Sequence, residues 1–134
     1  MHTSEVTYIG ALHTTSKHIA SGNVYETDAP IDNNGKGQAF SPTDLMCTSL
    51  ANCLLTVMGI AANTHAYNMD GASAKVTKIM AQNPRRVAEI LVEVTMPKND
   101  FDDKAKAILE HTARTCPVSK SLHPDLIQTI TFIW

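Results

Sequence analysis

Cysteine, aromatic side chains and positive charge are all scarce in this chain of 134 residues. Only three cysteines occur, Cys47, Cys53 and Cys116, too few and too scattered for a secreted disulfide framework. Aromatics make up 5% of the chain, and 11 Lys and Arg face 13 Asp and Glu, for a net charge of -2. That balance gives no basic footprint and argues against nucleic-acid binding. The six histidines form no HxxxH or HExxH spacing and the cysteines no CxxC, so no metal-site motif is present. The opening Met1-His2-Thr3-Ser4-Glu5 lacks a charged region followed by an apolar one. A cytoplasmic location is expected from that lack and from the unpaired thiols. No repeat, linker or low-complexity stretch interrupts the chain, and a single domain over residues 1–134 is expected.

What is present is a long stretch without charge, residues 45–62. It meets the lower length limit for a membrane span. Thr48, Ser49, Asn52 and Thr56 punctuate it, and no aromatic or basic belt flanks it, so a buried core helix is the better reading. Ser41-Pro42-Thr43-Asp44 supplies a start: Ser41 as N-cap, Pro42 at the first helical position, Asp44 closing a capping box. The spacing predicts a helix over residues 42–63, small or apolar nearly all round and therefore covered on several sides, with a partner subunit as a natural cover. Before it, β-branched and aromatic residues predict strands over residues 5–9, 17–20 and 24–27, followed by a loop over residues 28–40. Gly35-Lys36-Gly37 in that loop lacks the spacing of a phosphate-binding motif. Beyond the long helix, strands are expected over residues 73–82 and 87–96, a helix over residues 101–115, a short helix opened by Cys116-Pro117, and a final strand over residues 127–134.

The two cysteines 63 positions apart, Cys53 and Cys116, carry the chemistry on offer. A thiol acts on a peroxide as thiolate, so its surroundings decide its use. Cys116 at a helix start would meet backbone N–H groups and a dipole that favour an anion. Cys53, mid-helix among apolar residues, has no local cation and needs one brought in by the fold. Core packing is the alternative reading for Cys53. Cys47 lies about 120° around the helix from Cys53 and cannot pair with it while the helix persists; it is read as packing. His13 and His18, with Lys17, lie on the early strands and are candidates to activate the Cys53 sulfur, the alternative being a solvated strand face. Asp44 is first a capping residue and second a catalytic candidate.

Taken together, Ser41-Pro42-Thr43-Asp44-Leu45 opening a long helix, Leu50-Ala51-Asn52-Cys53-Leu54 within it, and Cys116-Pro117-Val118-Ser119 after a second helix resemble the OsmC/Ohr family of thiol peroxidases, in a divergent OsmC-like branch. The resemblance spans essentially the whole chain. It implies an α+β fold in which curved antiparallel sheets pack on two long central helices of an intertwined homodimer. It also implies a peroxidatic Cys53, a resolving Cys116, and organic hydroperoxides as substrates. No bound cofactor is implied, only an external dithiol reductant, in parts of the family a lipoylated protein; neither nucleic acid nor membrane is a partner.

Two positions depart from the family pattern. Family members orient the thiolate with an arginine from the N-terminal strands and a glutamate in the first turn of the helix. Here no arginine precedes Arg85, and the position ten before Cys53 is Thr43, with Asp44 one step on. His13 or Lys17 would replace the arginine and Asp44 the glutamate. A histidine is only partly cationic near neutral pH, and a lysine lacks the planar fork. A non-catalytic dimer that binds an apolar small molecule, or a thiol redox sensor, is therefore the alternative function.

Overall fold

The computed structural model describes residues 1–134, which divide into two compact units, Met1–Met46 and Cys47–Trp134. The first unit opens on an antiparallel meander of β1 (Ser4–Gly10), β2 (His13–His18) and β3 (Val24–Asp28), with Val6 opposite Ser16 and Thr15 opposite Glu26. The turn after β1 places Gly10, Ala11 and Leu12 at positive φ, and the Leu12 N–H donates to the Tyr8 hydroxyl at 3.3 Å. This turn lets β2 begin at His13 rather than at Lys17. The strand is built from Thr14, Thr15 and Ser16, whose hydroxyls suit the ladder: Thr14 Oγ1 and Thr27 Oγ1 bond across it at 2.5 Å. Ile19 and Ala20, which read as strand, lie in the next turn, where the Gly22 N–H donates to the His18 carbonyl at 2.8 Å.

The glycine loop is structural. A Cβ at Gly35 would stand 1.7 Å from the Ala29 carbonyl oxygen, and the Gly37 N–H donates to that same oxygen at 3.2 Å. Only glycine fits where the two backbones close on each other.

Helix α1 (Pro42–Thr64) starts as the capping residues direct. Ser41 Oγ accepts from the Asp44 N–H at 3.1 Å, and the Asp44 carboxylate accepts from the Ser41 N–H at 2.9 Å. This is the reciprocal capping box with aspartate in the glutamate place. Cys47, Leu50, Ala51, Leu54, Met58 and Ala62 form its buried stripe at helical spacing. Asn52, Thr56 and Ile60 on another flank are exposed, so the chain itself covers one side of the helix. By length and composition α1 could cross a membrane, with a third of its apolar window buried. Two threonines fold their hydroxyls back onto the helix: Thr56 to the Asn52 carbonyl at 2.8 Å and Thr64 to the Ile60 carbonyl at 3.1 Å.

In the second unit, β4 (Ser73–Ala81) pairs antiparallel with β5 (Arg86–Thr95), and β6 (Ile127–Ile133) lies on the other side of β5. The β5–β6 pair is parallel, Val92 opposite Ile130, so this sheet is mixed and the wholly antiparallel expectation is corrected. The reason is connection length: α2 (Asp103–Ala113) and α3 (Pro117–Ser121) intervene, and a helical crossover returns the chain in the same direction. A bulge at Ala88, between the Ile79–Glu89 and Met80–Val87 pairs, puts Val87 rather than Ala88 on the buried face. Helix α2 is shorter than residues 101–115 because Asp102 caps it, accepting the Ala105 N–H at 2.8 Å. Phe101 then falls outside the helix and meets the Trp134 and Tyr67 rings edge-on. The core of this unit combines Leu50, Leu54 and Met58 with Ile90, Val92, Val94 and Leu109, each no more than 1% exposed.

The cap and the core give separable costs. Ser41→Ala is expected to lower stability by about 1 kcal/mol. Leu54→Ala, which empties a fully buried site, is expected to cost about 3 kcal/mol. Urea midpoints of the two variants, at unchanged slope, check both.

Candidate active site

Two sulfurs, carried by α1 and by the start of α3, come together in the second unit. Cys53 lies near enough to Cys116 to raise its pKa, and neither is in a disulfide. Cys53 stands at the edge of the buried stripe of α1 and is half-buried, whereas Cys116 is fully buried. Cys47 lies in the stripe itself, 1% exposed, the packing position its helical angle foretold.

Cys116 is the N-cap of α3, with extended backbone at φ -65° and ψ 141° and Pro117 following it into the helix. Its sulfur takes the place of the usual cap oxygen and accepts the Ser119 N–H at 3.2 Å. That much was expected of a thiol at a helix start. The expected fall in pKa is not found. Burial pushes the Cys116 thiol above its ordinary value of 9.0. The N–H groups of Ser119 and Val118 pull it down without prevailing, and the hydrogen bond and charge of Cys53 push it up again. Withdrawal from water outweighs two amide donors on a single helical turn. Cys116 is therefore the thiol held protonated.

The four candidates for activating the thiolate lie in the first unit, each with local partners. His13 begins β2 with its Nε2 3.5 Å from Asp28 Oδ1. Asp28 is 1% exposed; its Oδ2 accepts the Gln38 N–H at 2.9 Å, while Oδ1 has no hydrogen-bond partner. A protonated His13 would meet that oxygen as an ion pair. Lys17 is exposed, in register with Glu5 and Val24 on the neighbouring strands. His18 is exposed as well and bonds to the Ser21 hydroxyl at 2.7 Å. Asp44 spends its carboxylate on the cap of α1.

Three residues with a part in these arrangements escaped the sequence reading. Asp28 reads as the start of a loop yet is a buried carboxylate. Ser119 carried a signal, three positions after a possible cap. Gln128, on β6, carried none; Ser119 Oγ bonds to its Oε1 at 2.5 Å and the Ser119 carbonyl accepts from its Nε2 at 3.1 Å. No three His, Cys, Asp or Glu side chains converge as a metal site would require. A hollow of about 300 Å³ opens on the outer face of the second sheet, lined by Lys75, Thr77, Leu91, Val92, Glu93, Thr129 and Thr131, and neither cysteine borders it.

Comparison with known proteins places this chain in a family. The OsmC-like protein family matches residues 35–130, and the chain belongs to it. A crystallised protein of Psychrobacter arcticus 273-4, assigned to osmotic stress induction and detoxification response, is 51% identical over 98% of this chain and 96% of its own, with a TM-score of 0.94. The organic hydroperoxide resistance protein OsmC of Legionella pneumophila shares the fold at 14% identity, with a TM-score of 0.77 over 100% of this chain and 98% of its own. Organic hydroperoxide resistance protein OhrB of Bacillus subtilis does so at 16% identity, with a TM-score of 0.67 over 98% of each chain. No curated protein matches the chain.

The raised Cys116 value has a signed consequence for stability. The folded state keeps this proton to higher pH than the unfolded state does, so its contribution is intact below about 9 and falls as pH rises through the folded value. Denaturation of the reduced protein is expected to show falling stability above that pH, and Cys116→Ser is expected to remove this component.

Proposed function

We propose that the protein is a thiol-dependent peroxidase that reduces organic hydroperoxides, with Cys53 as the peroxidatic and Cys116 as the resolving thiol. The observation that carries the reading is the nearness of two free thiols, Cys53 standing close enough to act on the ionisation of Cys116. Two free thiols that near each other are the reactants a disulfide needs. Membership of the OsmC-like family supports it, as do fold relatives that bear the name of organic hydroperoxide resistance.

In the first step the Cys53 thiolate attacks the distal oxygen of the hydroperoxide. The O–O bond breaks, a sulfenic acid forms on Cys53, and the alkoxide leaves as alcohol after taking up a proton. In the second step the Cys116 sulfur attacks that sulfenic acid. The S–S bond forms, and the sulfenic oxygen departs as water with the Cys116 proton. An external dithiol then reduces the disulfide by exchange and is itself oxidised. The cycle uses no bound cofactor, and the dithiol is of the kind a lipoylated protein carries. The buried, protonated state of Cys116 suits the second role, since it brings a proton to the departing oxygen and stays out of competition for the peroxide.

The same reading takes the protein to be a homodimer. Val6, Tyr8, Val24 and Tyr25 in the first sheet are more than half exposed, as is Ile60 on α1. A three-stranded sheet bare of cover is a poor independent fold, and a second copy would supply the cover. The proposed location is cytoplasmic, and α1 is taken as a core helix rather than a membrane span.

A second reading, a non-catalytic dimer binding an apolar small molecule, is favoured by one observation: the first unit has no arginine, and Asp44 is engaged at a helix cap. One equivalent of cumene hydroperoxide, followed by peptide mass spectrometry, separates the two. A rapid Cys53–Cys116 disulfide is expected, with peroxide consumption abolished in Cys53→Ser and over-oxidation of Cys53 to sulfinic acid in Cys116→Ser. Full peroxide consumption by Cys53→Ser would sink the peroxidase reading.

A further inference from the structure

The Cys116 sulfur is held by one amide, and that amide is itself held from another element. Helix α3 spans five residues, too few to keep its own geometry against fraying. Its third residue, Ser119, is gripped twice by Gln128 on β6. The serine hydroxyl donates to Gln128 Oε1 at 2.5 Å, and Gln128 Nε2 donates to the Ser119 carbonyl at 3.1 Å. The carbonyl fixes which way the amide faces, because turning it over would set two oxygens against each other. Gln128 in turn is anchored in the sheet opposite Ile90, a fully buried core residue. Both partners of the clamp are half-buried, where such bonds are worth more than in open water.

We infer that Gln128 is a positioning residue for the resolving thiol. By clamping Ser119 at both hydroxyl and carbonyl, it aims the Ser119 N–H at Cys116 Sγ and keeps that sulfur turned toward Cys53. The N–H is one of two backbone donors that ease ionisation of Cys116 against its burial. Releasing the clamp would loosen the thiol and make its thiolate harder to form. The disulfide would then close more slowly yet be more favoured once formed, because the reduced sulfur has lost a bond, while peroxide attack on Cys53, which does not involve α3, would proceed as before. This inference rests on the peroxidase reading for its biological meaning but not for its test.

The decisive variant is Gln128→Met, similar in volume and without the amide. In a redox titration against reduced and oxidised glutathione, the equilibrium constant for the Cys53–Cys116 disulfide is expected to rise about tenfold, the size of one hydrogen bond lost from the reduced thiol. The pH at which the Cys116 thiolate forms, read from ultraviolet absorbance in a Cys47→Ser, Cys53→Ser background, is expected to rise. With cumene hydroperoxide, sulfenic acid is expected at the unaltered rate, with more of it passing on to sulfinic acid. Gln128→Glu keeps the acceptor for the serine hydroxyl but adds a negative charge, so it is expected to move the ionisation of Cys116 upward even if the methionine variant folds poorly. An unchanged glutathione equilibrium and an unmoved Cys116 ionisation in folded variants would overturn the inference. Should the unsubstituted protein ignore cumene hydroperoxide while Gln128→Met still shifts the glutathione equilibrium, the clamp stands and the peroxidase reading falls.

Discussion

A helix with no charge between Leu45 and Ala62 persists in water only when something covers it, and that requirement organises the second unit. The stripe from Cys47 to Ala62 is buried with the inward residues of β5 and α2, and the position next to it on the helix is Cys53. The boundary between covered and uncovered helix is thus where Cys53 stands. A cysteine one position further round, at Leu54, would be sealed in the core. One at Asn52 would face solvent, with no second sulfur to meet. The angle of the helix decides which of its two thiols is sealed in the core and which stands at the core's edge.

Electrostatics then divide the labour between the two sulfurs. Cys116 has the features usually cited for an activated thiol, a helix start and two amide donors, yet its proton is held more tightly than in water. Desolvation acts on the whole charge, whereas the N–H 3.2 Å from the sulfur meets a weak acceptor. A helix of five residues adds little dipole to help. Burial, not position along the helix, sets the protonation of this group.

Much of this was legible in the sequence, and the misses are informative. The capping residues Ser41 and Asp44 fixed the start of α1, because an N-cap is a local contract between residues three apart. The contexts of Cys53 and Cys116 carried the family resemblance and picked out the two thiols that meet. The second strand was misplaced because its threonines and serine gain ladder bonds that hydropathy does not count, while Ile19 and Ala20 were apolar by composition and turn by geometry. The parallel return of β6 and the bulge at Ala88 depend on pairing partners far along the chain. The clamp from Gln128 to Ser119 joins two strand-and-helix positions through tertiary structure alone, and no pattern of spacing could announce it. The sign of the Cys116 shift failed for the same reason: burial is a property of the fold.

The back-bonded threonines of α1 alter what its outward flank means to the solvent. Thr56 and Thr64 count as polar residues, but each hydroxyl is already committed to a carbonyl one turn earlier. What they turn outward is a methyl group, beside the bare side chain of Ile60. Water on this flank makes fewer hydrogen bonds than composition implies, so stripping it away forfeits little. The flank is less polar in its wetting than in the alphabet, and a surface laid against it has chiefly the Asn52 amide to match.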